Sequence, residues 1–231
     1  MSIEAARERY PLSGANLAPV AEVKNKKTLV YELLKGRIIQ NEYKPGFPIN
    51  ENVLCEELQI SKTPVREAVQ QLERDGFITT IPGRGSFVRH ITVEDVREIF
   101  DTREIIECAV ARRAAVFGNQ DVLSQKRQEI ISNLSTAEDN TEIDRDDVHV
   151  FIFKLLANQR LLGIYSHLLD HIKRLRVYFN VRFDVERARL YTAEHVEIID
   201  SLILRDPDKA EQAVLIHLRN ASTYITRLTS F

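Results

Sequence analysis

The sequence predicts a mainly α-helical protein in two parts: an N-terminal winged helix-turn-helix and a C-terminal, all-α antiparallel bundle of six helices. Three observations predict it. Residues 26–90 carry three short helical periodicities and then two β-rich runs around a Pro-Gly-Arg-Gly tip. From residue 92 the apolar pattern is helical to the end, with no hairpin signal. The charge also changes sign at the join. Residues 24–90 hold eleven Lys and Arg against eight Asp and Glu, and residues 91–231 hold nineteen against twenty-three. A basic module on an acidic body suits a polyanion-binding head.

The bulk composition sets the frame. A chain of 231 residues, 44% hydrophobic and 29% charged, can bury two globular cores. No run approaches the ~20 apolar residues of a membrane span, so no membrane partner is expected. The opening MSIEAARERYPLSG lacks the apolar core of a secretory signal. Cys55 and Cys108 lie far apart without metal-ligand spacing. They point to a reducing cytoplasm and read as small buried apolar residues.

Taken in order, residues 1–23, with Pro11, Gly14 and Pro19, read as an N-terminal extension. Leu29, Val30, Leu33, Leu34 and Ile38 mark a first helix that ends before Tyr43-Lys44-Pro45-Gly46. Asn50-Glu51 opens a short second helix with Val53, Leu54 and Leu58 on one side. Ser61 stands at an N-cap position, and Pro64 falls in the first turn of a third helix, where its missing N–H costs nothing. That helix repeats apolar residues at Val65, Ala68, Val69 and Leu72 and stops at Asp75-Gly76. Phe77–Ile81 and Ser86–Arg89 are strands around Pro82-Gly83-Arg84-Gly85. The head thus spans residues 24–91 and the helical domain 92–231. In the latter, six helical segments fall at roughly 93–117, 120–136, 142–157, 159–183, 187–205 and 207–228.

In a winged helix-turn-helix, the N-terminal residues of the third helix face base edges in the major groove. Here they are Ser61, Lys62, Thr63, Arg66, Glu67 and Gln70. Lys62 and Arg66 stand one turn apart, opposite Val65, Val69 and Leu72. Arg84 and Gly85 form the wing tip, where glycine lets the backbone approach a phosphate or the minor groove. The stretch Ile60-Ser61-Lys62-Thr63-Pro64-Val65-Arg66-Glu67-Ala68-Val69, then Leu72-Glu73-Arg74-Asp75-Gly76 and Gly83-Arg84-Gly85, resembles the head of the GntR superfamily of bacterial regulators. The resemblance implies double-stranded operator DNA as a partner. It departs at Lys62, where arginine is common, and at Asn52, where some members carry a DNA-contacting arginine. Operator sequence therefore does not transfer.

Three histidines distinguish the helical domain. His149 shares a face with Ile152 and Leu156, His195 with Ile198, Ile199 and Leu202, and His217 with Ala213, Val214 and Ala221. All three point inward from different helices, and Asp144, Asp146 and Asp147 lie just ahead of His149. Imidazoles with a carboxylate suit zinc, nickel or a similar divalent ion. His171 is a reserve candidate, while His90 and His167 read as surface residues. The domain is similar to the FCD effector domain of the FadR-like branch of the superfamily, in its shorter six-helix variant. That resemblance implies an aspartate and three histidines around a metal. The usual acid position is Arg145 here, so Asp146, one turn back, is taken as the ligand.

Arg103 lies on the apolar face of Val96, Ile99, Phe100, Ile106 and Val110, where a buried cation needs a partner. Either it pairs with Glu107 one turn on, or it forks onto the carboxylate of a small acid effector. Arg174 could also turn toward the cavity. The resemblance implies a cytoplasmic homodimer that represses transcription and responds to a small organic or sugar acid. Two other readings stay open: a metal-dependent hydrolase in the bundle, and an architectural DNA binder with no effector. No His-Glu-x-x-His pair, nucleophile elbow or phosphate-cradling glycine loop supports an enzyme.

Overall fold

The computed structural model describes residues 25–136, 147–181 and 185–228. They form two compact units that divide between His90 and Ile91.

The first unit is a three-helix head with a small sheet. Asn25 caps α1 (Lys26–Ile39) by accepting from the Thr28 N–H at 3.1 Å. Asn50 caps α2 (Glu51–Leu58), accepting from the N–H groups of Asn52 and Val53. Ser61 occupies the N-cap position of α3 (Lys62–Arg74), but its side chain makes no capping bond. Val30 and Leu34 of α1 meet Val65, Ala68, Val69 and Leu72 of α3 in one core. Arg37 ties the end of α1 to α2, donating to Tyr43 Oη and Glu57 Oε1, each at 2.7 Å.

The hairpin forms as β2 (Ile78–Ile81) and β3 (Gly85–Val88), antiparallel, with Thr79 opposite Phe87. A third strand, β1 (Pro48–Ile49), pairs with the other edge of β3, setting Pro48 opposite Phe87. Two residues have no periodicity of their own, so β1 left no pattern to read. Gly83 and Gly85 adopt φ of +73° and +102°, which a side chain resists.

The second unit holds α4 (Val93–Phe117), α5 (Gln120–Thr136), α6 (Asp147–Leu155), α7 (Gln159–Tyr178), α8 (Val185–Ile203) and α9 (Pro207–Leu228). Thr92 and Asp95 form a reciprocal capping box at the start of α4. Proline opens α9, with Asp206 accepting from the N–H groups of Asp208 and Lys209. Helix α9 packs along α4, α8 lies against both α5 and α9, and α6 covers α4. Ala111, Ala114, Ile198, Leu202, Val214 and Leu218 are fully buried between them. Phe153 stacks on Tyr165 with ring centroids 4.0 Å apart.

Three of these helices end earlier than their apolar patterns. Ala157 and Asn180 take φ of +49° and Arg205 takes +55°, the left-handed conformation that terminates a helix. The pattern continues past those points, but the backbone turns. Residues 1–23, the predicted helix start at 142 and the acids Asp144 and Asp146 lie outside the described residues. No described helix is long and apolar enough to cross a membrane.

Candidate functional site

In the head, α3 divides as its amphipathic spacing requires. Val65, Ala68, Val69 and Leu72 are buried, whereas Ser61, Lys62, Thr63, Arg66 and Gln70 are exposed. Arg84 and Gly85 are exposed at the tip between β2 and β3. Lys62 Nζ donates to Asn52 Oδ1 at 3.2 Å, so the two residues that depart from the common head pattern touch each other. The surface so formed carries the cations Lys62 and Arg66 with hydroxyl and amide groups, and Glu67 among them, on a helix whose other face is buried in the core. Such a surface can take phosphates and base edges.

In the helical unit, α6, α8 and α9 bring His149, His195 and His217 together, all at most 3% exposed. One ring nitrogen from each falls within a span of 4.8 Å. Their ring centroids lie 4.7 to 5.2 Å apart. The Nε2 atoms of His149 and His217 approach to 3.1 Å. On the far side of each ring stands a carboxylate. Glu107 Oε2 lies 2.6 Å from His149 Nδ1, and Glu194 Oε2 lies 2.8 Å from His217 Nδ1. A carboxylate there holds the proton on Nδ1 and turns the Nε2 lone pair inward. His195 Nε2 is buried with no hydrogen-bond partner. Its ring rests 4.3 Å from that of Tyr191.

Burial and the neighbouring His217 and His149 hold the His195 imidazole well below its ordinary pKa. Burial lowers His217 to about 4, although Glu194 opposes the shift. A neutral ring, which this lowering favours at His195 and His217, is the form of histidine that binds a metal.

Behind His149 the structure places a buried ion pair. Arg103 Nε donates to Glu107 Oε1 at 2.6 Å, with both side chains at most 3% exposed. Burial alone would raise the Glu107 pKa, but the Arg103 charge and His149 overcome it, and the carboxyl is held well below the usual range. Arg103 thus makes its pairing with Glu107, yet its Nη2 is buried without a hydrogen-bond partner. A guanidinium that uses one edge on Glu107 still has donors for a second anion.

The structure therefore gathers Arg103, His149, His195 and His217. Asp146 lies outside the described residues, as does Arg145. His171 is half-buried and outside the three-histidine group, His90 and His167 are exposed, and Arg174 is buried. Two participants escaped sequence reasoning. Glu107 reads as the partner of Arg103, but its contact with His149 spans two helices. Glu194 precedes His195 in sequence yet serves His217, supported by Asn220 Nδ2 at 2.9 Å and Arg187 Nη1 at 3.2 Å.

Comparison with known proteins bears on both units. The model of the gntR family of bacterial regulatory proteins matches residues 26–88, and that of the FCD domain matches residues 98–220. The HTH-type transcriptional repressor RspR of Escherichia coli K12 is 30% identical over 205 residues, spanning 86% of this chain and 88% of the relative. Among solved structures, a GntR transcriptional regulator from Rhodococcus sp. RHA1 superposes with a TM-score of 0.68 at 24% identity, covering 89% of this chain and 99% of that one. Escherichia coli McbR/YncC gives 0.69 at 17% identity, covering 90% and 100%. At these identities the two structures establish the shared fold alone.

Proposed function

This chain belongs to the GntR family of bacterial regulatory proteins and carries an FCD domain, and from that premise we propose a homodimeric repressor whose helical unit senses a small organic or sugar acid at a metal site. It is a DNA-binding regulator of the GntR/FCD type, and family and fold are those of regulators rather than enzymes. The FadR-like branch and its six-helix variant are our assignment, supported by the six helices among the described residues of the second unit. In the head, Ser61, Lys62, Thr63, Arg66, Gln70, Arg84 and Gly85 are the DNA-reading set. Arg66 reads a base edge and Lys62 neutralises a phosphate.

One observation carries the sensing role: three buried imidazoles with converging nitrogens beside a buried guanidinium that has donors to spare. The pair of Nε2 atoms 3.1 Å apart, both braced from behind by carboxylates, fits a cation better than it fits an empty core. His149, His195 and His217 would hold zinc or nickel, with Asp146 as a fourth ligand. The ion supplies a Lewis-acid anchor for a carboxylate. Arg103 orients the same ligand by a charge-assisted hydrogen bond, and the surrounding apolar helices exclude water that would compete. Coupling to DNA needs only that the ligand prefer one arrangement of the dimer by about 1–3 kcal/mol.

A thermal-shift screen of small organic and sugar acids tests this reading. An effector raises the melting temperature of the metal-loaded chain, loses that effect in chelator, and weakens operator binding in a gel-shift assay. A chain that binds DNA but responds to no acid, with or without metal, is the effector-less DNA binder instead.

A further inference from the structure

Two of the three histidines are held from behind in the same way. On one side Arg103 Nε donates to Glu107 Oε1 at 2.6 Å, and Glu107 Oε2 meets His149 Nδ1 at 2.6 Å. On the other, Arg187 Nη1 donates to Glu194 Oε1 at 3.2 Å, and Glu194 Oε2 meets His217 Nδ1 at 2.8 Å. Each is an Arg–Glu–His arm whose carboxylate gives one oxygen to the guanidinium and the other to the imidazole. The arms differ in their setting. The side chains of Arg103 and Glu107 are at most 3% exposed, whereas Arg187 is 12% and Glu194 15% exposed. The second arm also has an extra donor. Asn220 Nδ2, on an exposed side chain of α9, reaches the same Glu194 Oε1 at 2.9 Å.

Arg187 is itself held by its surroundings. Its guanidinium carbon lies 5.8 Å from the centroid of the Tyr191 ring and 5.5 Å from that of Tyr224 on α9. Two aromatic faces attract the cation and orient its planar fork. Helical spacing brings these groups together. Arg187, Tyr191 and Glu194 fall at i, i+4 and i+7 on α8, and His217, Asn220 and Tyr224 at i, i+3 and i+7 on α9. Tyr191 is 2% exposed, and its ring lies 4.3 Å from that of His195 and 5.0 Å from that of His217. Both oxygens of Glu194 are therefore engaged, Oε1 by donors from two helices and Oε2 by His217.

We propose that Arg187 and Asn220 are positioning residues of the metal centre: by gripping Glu194 Oε1 they keep His217 in its ligating orientation and so set how tightly, and for how long, this arm keeps the ion. The role rests on the reading of the three histidines as a metal site. A carboxylate behind a histidine fixes the ring and strengthens it as a ligand, provided that the carboxylate is itself fixed. Burial does that for Glu107, which water does not reach. Glu194 stands at the edge of solvent, where water competes for its oxygens, and only the two donors on Oε1 hold its plane. The centre thus has a rigid arm at His149 and an adjustable one at His217, and exchange of the ion proceeds by release of His217.

Zinc binding to the full chain, measured by competition with a chromophoric chelator, tests this, together with the rate of zinc release into excess chelator. Arg187→Gln should raise Kd and the release rate about 10-fold. Asn220→Ala, at an exposed position, should raise both about 3-fold. In a Glu194→Ala background neither change should weaken binding further, because both act through that carboxylate. Losses that simply add would make the two residues structural and overturn the proposal, as would parent-like affinity and release in both single variants. Should Arg187→Gln fail to fold, judged by circular dichroism of the metal-free protein, Asn220→Ala and its cycle with Glu194→Ala decide alone. A parent that takes up neither zinc nor nickel would remove the metal site and this role with it. A zinc-binding parent whose variants bind equally well would leave the site standing and remove only the role.

Discussion

His149 and His217 face each other through their Nε2 atoms at 3.1 Å, and each has its Nδ1 turned toward a different glutamate, Glu107 and Glu194. The two carboxylates come from helices α4 and α8, and the two imidazoles from α6 and α9. Four helices thus converge on one pair of nitrogens. With His195 Nε2 alongside and without a hydrogen-bond partner, three buried imidazole nitrogens come within 4.8 Å of one another.

Purified protein should contain about one divalent ion per chain by elemental analysis. Chelation should lower the melting temperature, and zinc or nickel should restore it. At a free metal concentration of 100 times Kd the expected stabilisation is about 2.7 kcal/mol. The double variant His149→Ala, His195→Ala should lose both the metal and the stabilisation. Parent-like metal content in that variant removes the site.

Glu107 serves two partners, and Glu107→Gln should show both roles separately. In the metal-free protein, Arg103 is left as a buried cation without its counter-charge, at a cost of about 3–5 kcal/mol in denaturant unfolding. In the metal-loaded protein, loss of the charge behind His149 should weaken affinity about 10- to 100-fold. A variant as stable as the parent would show that Arg103 does not depend on this carboxylate.

Arg66 and Lys62 should differ in how they fail. Arg66→Ala should cost about 1–3 kcal/mol at the operator and relax discrimination at one base pair. Lys62→Ala should weaken all sequences alike and reduce the slope of log affinity against log salt by about 1. Both side chains are exposed, so thermal stability should not change. Sequence-independent loss from Arg66→Ala in footprinting would return that residue to the phosphate-binding class.

Cys108 supplies a pH test in the helical unit. Burial, reinforced by the carboxylates of Glu211, Glu104 and Glu107, pushes its thiol up to about 11. The folded state therefore retains a proton that the unfolded chain releases near the ordinary value of 9. Stability should fall as pH rises from about 9 toward 11, because the unfolded state then binds fewer protons than the folded one. Cys108→Ala should flatten that alkaline decline. In the native parent at pH 8, iodoacetamide should label the half-buried Cys55 well before Cys108, and equal rates by mass spectrometry would contradict the burial argument.

Much of this protein was legible in one dimension. The division of α3 into a buried stripe at Val65, Ala68, Val69 and Leu72 and an exposed polar side follows from helical period alone. So does the inward aim of His149, His195 and His217, because each sits in phase with apolar neighbours that must be covered. Tertiary structure decided what period cannot express: which helix lies across from which, and at what distance. That Glu107 reaches His149 as well as Arg103, that Glu194 serves His217 rather than its own neighbour, and that Ile105 stays uncovered while Phe100 and Val110 of the same helix are buried all depend on contacts between segments distant in the chain. Local sequence sets the direction of a side chain from its own axis, and only the packing of the axes determines what it meets.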